Sequence, residues 1–181
     1  MSFYTKKGDD GTTGLYYGGR TGKDSAAIEA CGAVDEAQAC IGLVRAEASA
    51  NGELDELCLV VERDLYVLMA ELATAPENQH KLAPGTSQVT ELMVERIAKA
   101  TDDITTRFAM PTEFVLPGQN RESALLEVAR TVVRRAERRA VPVAQPDSHV
   151  VPYLNRLSSL LWAMARWQEG GHTITSRTKE P

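Results

Sequence analysis

The stretch LDELCLVVERDLYVLMAEL, residues 54–72, decides the fold. Leu54, Leu57, Val61, Leu65, Leu68 and Leu72 return every three or four residues, which lines them up on one face of an α-helix. A stripe that wide has to be buried. Asn51-Gly52 breaks the pattern before it and Ala75-Pro76 ends it.

The same period extends in both directions. Upstream, Asp24 or Ser25 is a suitable N-cap, and Ala27, Cys31, Val34, Ala37, Ile41, Val44 and Ala48 step by three and four. Downstream, residues 76–86 read as a loop with Pro84-Gly85 as its turn signal. Val89, Met93, Ile97, Ala100, Ile104 and Phe108 make a third stripe, stopped by Pro111. Phe114-Val115-Leu116-Pro117-Gly118 is a short apolar connection. Leu125, Ala129, Val132 and Ala136 form a fourth helix before Pro142, and Pro146 and Pro152 are expected to bracket the next connection. Tyr153, Leu157, Leu160, Met164 and Trp167 form a fifth, closed by Gly170-Gly171. No useful strand alternation and no internal repeat is present. The expectation is an all-α, five-helix bundle, four-helix-bundle-like with ferritin-like up-down packing. It is one domain over 1–181: a glycine-rich N-terminal arm (1–24), the helical bundle (25–170) and a frayed polar tail (171–181).

Bulk properties narrow the class. A length of 181 residues suits a single core. A net charge of −5 argues against general binding to nucleic acid or anionic membrane. No run of about twenty apolar residues is present, and the N-terminus lacks the apolar stretch of a signal peptide, so a cytoplasmic protein is expected. Cys31, Cys40 and Cys58 form no CxxC pair and read as reduced core residues.

Several segments could carry chemistry. The arm, with Thr5, Lys6, Lys7, Gly8, Asp9, Gly11, Thr12, Thr13 and Gly14, mixes hydroxyls, lysines and glycine backbone, the groups that hold phosphate oxygens. It lacks Walker spacing, and it reads equally as a soluble terminus or a phosphate cradle. On the fourth helix Glu127, Arg130, Arg134 and Glu137 share one face. Arg134, Arg135 and Arg138 crowd positive charge that glutamates at i,i+3 or a polyphosphate could answer; a solvated salt-bridged face is the plainer alternative. Asp35 lies beside the first buried stripe, either exposed or paired, with Arg130 a reasonable partner across the bundle. Asn155 offers a donor and an acceptor for a ribose or base edge. Glu77 and His80 have ExxH spacing, but a di-iron bundle needs two such motifs and two further carboxylates. No Ser-His-Asp arrangement is readable.

In order and spacing these segments resemble the PduO-type ATP:cob(I)alamin adenosyltransferases. The resemblance rests on Thr5-Lys6-x-Gly8-Asp9-x-Gly11-Thr12-Thr13, on Gly19-Arg20 with Lys23-Asp24, and on Val34-Asp35-Glu36. It continues through Phe114 to Gly118, Ala129-Arg130-Thr131 with Arg134 to Arg138, and Tyr153 to Ser158. It implies transfer of the 5′-deoxyadenosyl group of ATP to cob(I)alamin, giving adenosylcobalamin and triphosphate, with Mg2+ accompanying ATP and no metal held by protein side chains alone. It implies a homotrimer with active sites between subunits, a Co(II) reductase upstream and an adenosylcobalamin-dependent enzyme downstream. By the same resemblance Thr5, Lys6, Lys7, Gly8, Thr13, Gly14 and Lys23 surround the phosphates. Arg134, Arg135, Glu137, Arg138 and Asn155 bind ATP. Asp35 pairs with Arg130, and Phe114 sits under the corrin and displaces its lower axial ligand. Gln38, Gln119 and Ser159 depart from the family pattern, which keeps open a second reading: a non-catalytic ATP- or cobalamin-binding paralogue acting in sensing or delivery.

Overall fold

The computed structural model describes residue 4, residues 6–171 and residues 173–177. Five long helices dominate: α1 (Ala26–Glu47), α2 (Glu53–Leu72), α3 (Glu91–Thr105), α4 (Arg121–Ala140) and α5 (Val150–Gln168). They pack up and down, α1 between α2 and α4, and α5 between α4 and α3. The stripes read from the sequence supply the core: Val34, Ile41 and Val44 of α1, Leu65 and Leu68 of α2, Ile97 and Ile104 of α3, Leu126 and Val133 of α4, and Leu154, Leu157 and Leu160 of α5. Each such aliphatic side chain, fully buried, stabilises the fold by about 1.5–3 kcal/mol before the cost of ordering it. Alanines at 30, 33 and 37 on α1 and at 129, 136 and 140 on α4 are buried, and small side chains let these two helices run close together along much of their length.

The helix ends have local causes. Asn120 caps α4 in a reciprocal box, its Oδ1 accepting from the Ser123 N–H at 2.8 Å while the Asn120 N–H donates to Ser123 Oγ at 3.3 Å. Thr90 caps α3 through the Met93 N–H. Gly170 and Gly171, at φ 59° and 86°, turn the chain away after α5, a conformation glycine adopts without strain.

Four sequence expectations need correction. The arm contains a two-stranded antiparallel hairpin, β1 (Thr12–Gly14) with β2 (Arg20–Gly22), Thr13 opposite Thr21. Three-residue strands are too short to show alternation. The 76–86 segment is not all loop, because Pro76–Lys81 forms a 3₁₀ turn. Pro152 does not bracket a connection; it lies in the first turn of α5, where its missing N–H has no intrahelical partner to lose. The tail is not frayed over its described residues: Val115 and Thr175 form an antiparallel bridge, the Leu116 N–H donates to the Ile174 carbonyl at 2.9 Å, and the Ser176 N–H donates to the Phe114 carbonyl at 2.8 Å.

Candidate functional site

The arm folds back onto α2. The Tyr16 N–H donates to the Ala73 carbonyl at 2.9 Å, and the Tyr17 hydroxyl meets Ser87 Oγ at 3.0 Å. Arg20 staples the turn before β1, donating to the Lys7 carbonyl at 2.6 Å and to Thr12 Oγ1 at 3.0 Å. Asp10 accepts from the Thr12 hydroxyl at 2.7 Å and its N–H at 2.9 Å, and these bonds hold its carboxyl below the usual range. A Cβ on Gly8 would lie 3.1 Å from Lys23 Nζ and 3.1 Å from the Thr12 carbonyl. Glycine at that position is what lets the Lys23 ammonium rest against the turn. Lys6, at φ 59°, points its ammonium over the Tyr4 ring, 5.9 Å from the centroid. Thr5 lies outside the described residues.

Thr13 and Gly14 open onto a groove of about 670 Å³ between the arm, α1 and α2, whose wall also includes Asp35, Tyr16, Tyr66 and Met69. Asp35 is exposed and makes no ion pair with any described residue.

A second groove, about 340 Å³, runs between α3, α4 and α5 and is lined by Thr101, Thr105, Arg130, Arg134, Ser158, Ser159 and Trp162. Arg130 does not reach Asp35 within one chain. Its Nε donates to Glu127 Oε2 at 2.6 Å, the i,i+3 answer that the charge pattern allowed. The other expected local pair, Arg134 with Glu137, is absent. Glu137 instead accepts from Asn155 Nδ2 at 3.0 Å, and Asn155 Oδ1 in turn accepts from Arg156 at 3.1 Å. Arg134 and Arg138 have no carboxylate partner among the described residues; Arg138 donates to the Arg134 carbonyl at 3.0 Å. Arg135 points the other way and pairs with Glu36 of α1. The predicted α4 set thus divides: Arg134 and Arg138 have no carboxylate among the described residues, Arg130 is held by Glu127, and Arg135 is tied to α1.

Phe114 projects from the α3–α4 connection with 88% of its surface exposed. It borders a hollow of about 380 Å³ shared with Pro111, Thr112, Glu113, Ser176 and Arg177.

One cluster was not foreseen. Arg166, 1% exposed, donates to Glu127 Oε1 at 3.1 Å and to both oxygens of Glu169 at 2.9 and 2.6 Å. Its guanidinium stands 5.4 Å from the Trp162 ring centroid. An arginine near a helix end reads as surface charge, and only the apolar residues around it would have hinted otherwise.

The rest of the chemistry is negative in character. Burial pushes the Cys58 thiol up to about 12, and burial raises Cys31 and Cys40 as well, so none is poised as a thiolate nucleophile. No cluster of three or more His, Cys, Asp or Glu among the described residues could hold a metal ion; Glu77 and His80 sit in the 3₁₀ turn. Among the described residues no helix is long and apolar enough to cross a membrane.

Residues 3–168 match the family model described as cobalamin adenosyltransferase. The chain is 37% identical over 172 residues to the corrinoid adenosyltransferase of Bacillus subtilis, covering 92% of this chain and 86% of that one. It is 36% identical over 189 residues to the corrinoid adenosyltransferase of Mycobacterium tuberculosis (strain H37Rv), covering 96% of each. Its fold superposes with a TM-score of 0.87 on a Phe-to-His variant of a PduO-type ATP:corrinoid adenosyltransferase from Lactobacillus reuteri, complexed with cobalamin and ATP; identity is 25%, with 99% of this chain and 98% of that chain covered. An Arg-to-Lys variant from the same organism, complexed with ATP, superposes at 0.80 with 26% identity, covering 92% of this chain and 94% of that one.

Proposed function

The chain belongs to the cobalamin adenosyltransferase family, PduO type, and on that footing we propose how its residues move the 5′-deoxyadenosyl group of ATP onto cob(I)alamin. It is a corrinoid adenosyltransferase. The Co(I) centre supplies an electron pair to the 5′ carbon, a Co–C bond forms, the C5′–O bond breaks, and the leaving pair stays on triphosphate. The corrin is its own nucleophile, so the protein needs no serine or thiolate. This chain must bind, orient and neutralise.

The observation that carries the assignment of the nucleotide is Arg134. It stands at the edge of a groove with Arg130, near Arg138, and no carboxylate among the described residues answers Arg134 or Arg138. Guanidinium groups so placed suit phosphate oxygens, and their charge stabilises the triphosphate as it leaves. The arm, with Lys6, Lys7, Gly8, Thr13, Gly14 and Lys23, adds hydroxyls, ammonium groups and turn backbone to the phosphates. Thr5 belongs to the same motif. Asn155, held between Glu137 and Arg156, faces the nucleoside, and Arg135 steadies α4 against α1. Mg2+ enters with the phosphates; the described residues offer no ready-made carboxylate cluster for it.

The arm groove and the arginine groove lie on different faces of one chain, α1–α2 and α3–α4–α5. One chain therefore supplies half of each site, which supports a homotrimer whose active sites lie between subunits. Asp35 of one copy then pairs with Arg130 of a neighbouring copy. Phe114 packs beneath the corrin, displacing its lower ligand and excluding water, which eases reduction of Co(II) by an external reductase. Of the departures from the family pattern, Gln38 ties α1 to the Glu62 carbonyl at 3.0 Å, and Ser159 lines the arginine groove.

Purified protein mixed anaerobically with chemically reduced cobalamin and Mg-ATP should lose the Co(I) absorption and gain a light-sensitive alkylcobalamin with released triphosphate. An unchanged spectrum, with ATP binding shown separately, would favour the non-catalytic reading.

A further inference from the structure

Phe114 has to present a bare ring, yet its own segment is poorly built to hold one. Among the described residues, the backbone–backbone hydrogen bonds of residues 109–119 are two, and both go to the C-terminal tail: Leu116 N–H to the Ile174 carbonyl at 2.9 Å and Ser176 N–H to the Phe114 carbonyl at 2.8 Å. Two side-chain contacts on Glu113 reinforce them, the Thr175 hydroxyl at 2.8 Å and the Arg177 guanidinium at 3.9 Å. The far end of this strap is also anchored. Thr173 Oγ1 donates to Glu169 at 3.0 Å, and Glu169 is gripped by buried Arg166, which shares Glu127 with Arg130 of the arginine groove.

We propose that residues 173–177 are a positioning strap for the corrin side of the reaction: they pin the backbone of Phe114 so that its exposed ring is held out at one angle. The inference rests on the reading of Phe114 as the residue beneath the corrin. A strand-like partner does this better than side-chain packing would, because packing would cover the ring that must stay exposed. The two backbone hydrogen bonds flank Val115 and include the Phe114 carbonyl, so they fix the peptide that follows Phe114 and leave its ring bare. The anchoring through Glu169 and Arg166 ties the strap to the same ion network that engages Arg130.

The test compares Ser176→Pro, which deletes the donor to Phe114, with Ser176→Ala, which keeps it. Expected for Ser176→Pro is faster amide exchange at Leu116, by about tenfold, the worth of one backbone hydrogen bond. With Mg-ATP and Co(II) cobalamin, it should show less of the spectrum of Co(II) lacking its lower ligand, and turnover should fall while ATP affinity holds. Ser176→Ala should restore the wild-type spectrum. A chain ending at Gly171 should repeat the proline phenotype and covers the case in which Ser176→Pro folds poorly. Wild-type spectra in both Ser176→Pro and the truncated chain, alongside a defective Phe114→Ala, would overturn the strap. A wild-type Phe114→Ala would instead overturn the reading of Phe114, and the strap with it.

Discussion

Arg166 and Glu127 join α5 to α4 through a 3.1 Å hydrogen bond in a dry part of the bundle. Glu127 spends its other oxygen on Arg130, and Arg166 spends its remaining donors on Glu169. The pair is thus the centre of a chain of alternating charge that starts in the arginine groove. Removing one member leaves the others buried and uncompensated. Arg166→Ala should therefore cost about 3–5 kcal/mol of stability, read from urea unfolding, and Arg166→Leu scarcely less. A loss below about 1 kcal/mol would mean that water reaches Glu127 and Glu169 and that the network is not dry.

That network also marks the limit of what the sequence discloses. Stripes such as Leu65, Leu68 and Leu72 declare a buried face by period alone, and the structure buries them. Charge has no such signature: Arg130 and Arg166 are both arginines on amphipathic helices, one lining a groove and one sealed in the core. Pairings distant along the chain are equally silent. Val115 and Thr175 meet only because α4 and α5 bring their ends together, and nothing in either segment names the other. Asp35 is the converse case. The motif around it is legible, but it has no ion-pair partner among the described residues.

Arg134→Ala should weaken ATP binding by about 1.5–3 kcal/mol, the worth of a hydrogen bond to a charged group, with thermal unfolding little changed because Arg134 is exposed and carries no ion pair with any described residue. Titration calorimetry with Mg-ATP reads this directly. Wild-type affinity would remove Arg134 from the phosphate site.

Phe114→Ala deletes a ring that is 88% exposed. Folding should not notice, and ATP affinity should hold. Turnover should drop, more steeply from Co(II) with a reductase than from pre-reduced Co(I), since the work proposed for the ring is on the axial ligand. Equal loss from both starting states would point to a role in binding the corrin rather than in shaping it.

Asp35→Ala should leave the helical content of the chain intact while weakening subunit association, visible by sedimentation at falling concentration. The double variant with Arg130→Ala should lose less than the sum of the two singles, a coupling of about 1 kcal/mol if the two side chains meet between copies. Strict additivity would separate them.

Acid should unfold the protein partly through Asp55. Its Oδ1 accepts from Arg45 Nε at 2.8 Å and its Oδ2 from the Asn51 N–H at 3.1 Å. The Arg45 bond first, then the Asn51 amide, hold the carboxyl below its ordinary value; Glu53 is lowered likewise by Arg107. A carboxyl that ionises more readily folded than unfolded adds stability above its unfolded pKa, roughly 4. That contribution is lost as pH falls through the depressed folded value. The urea midpoint should accordingly drop between pH 6 and pH 3, and the drop should be smaller in Asp55→Asn, whose amide keeps part of the geometry and none of the charge. The same drop in both proteins would show that Asp55 is not among the groups that sense acid.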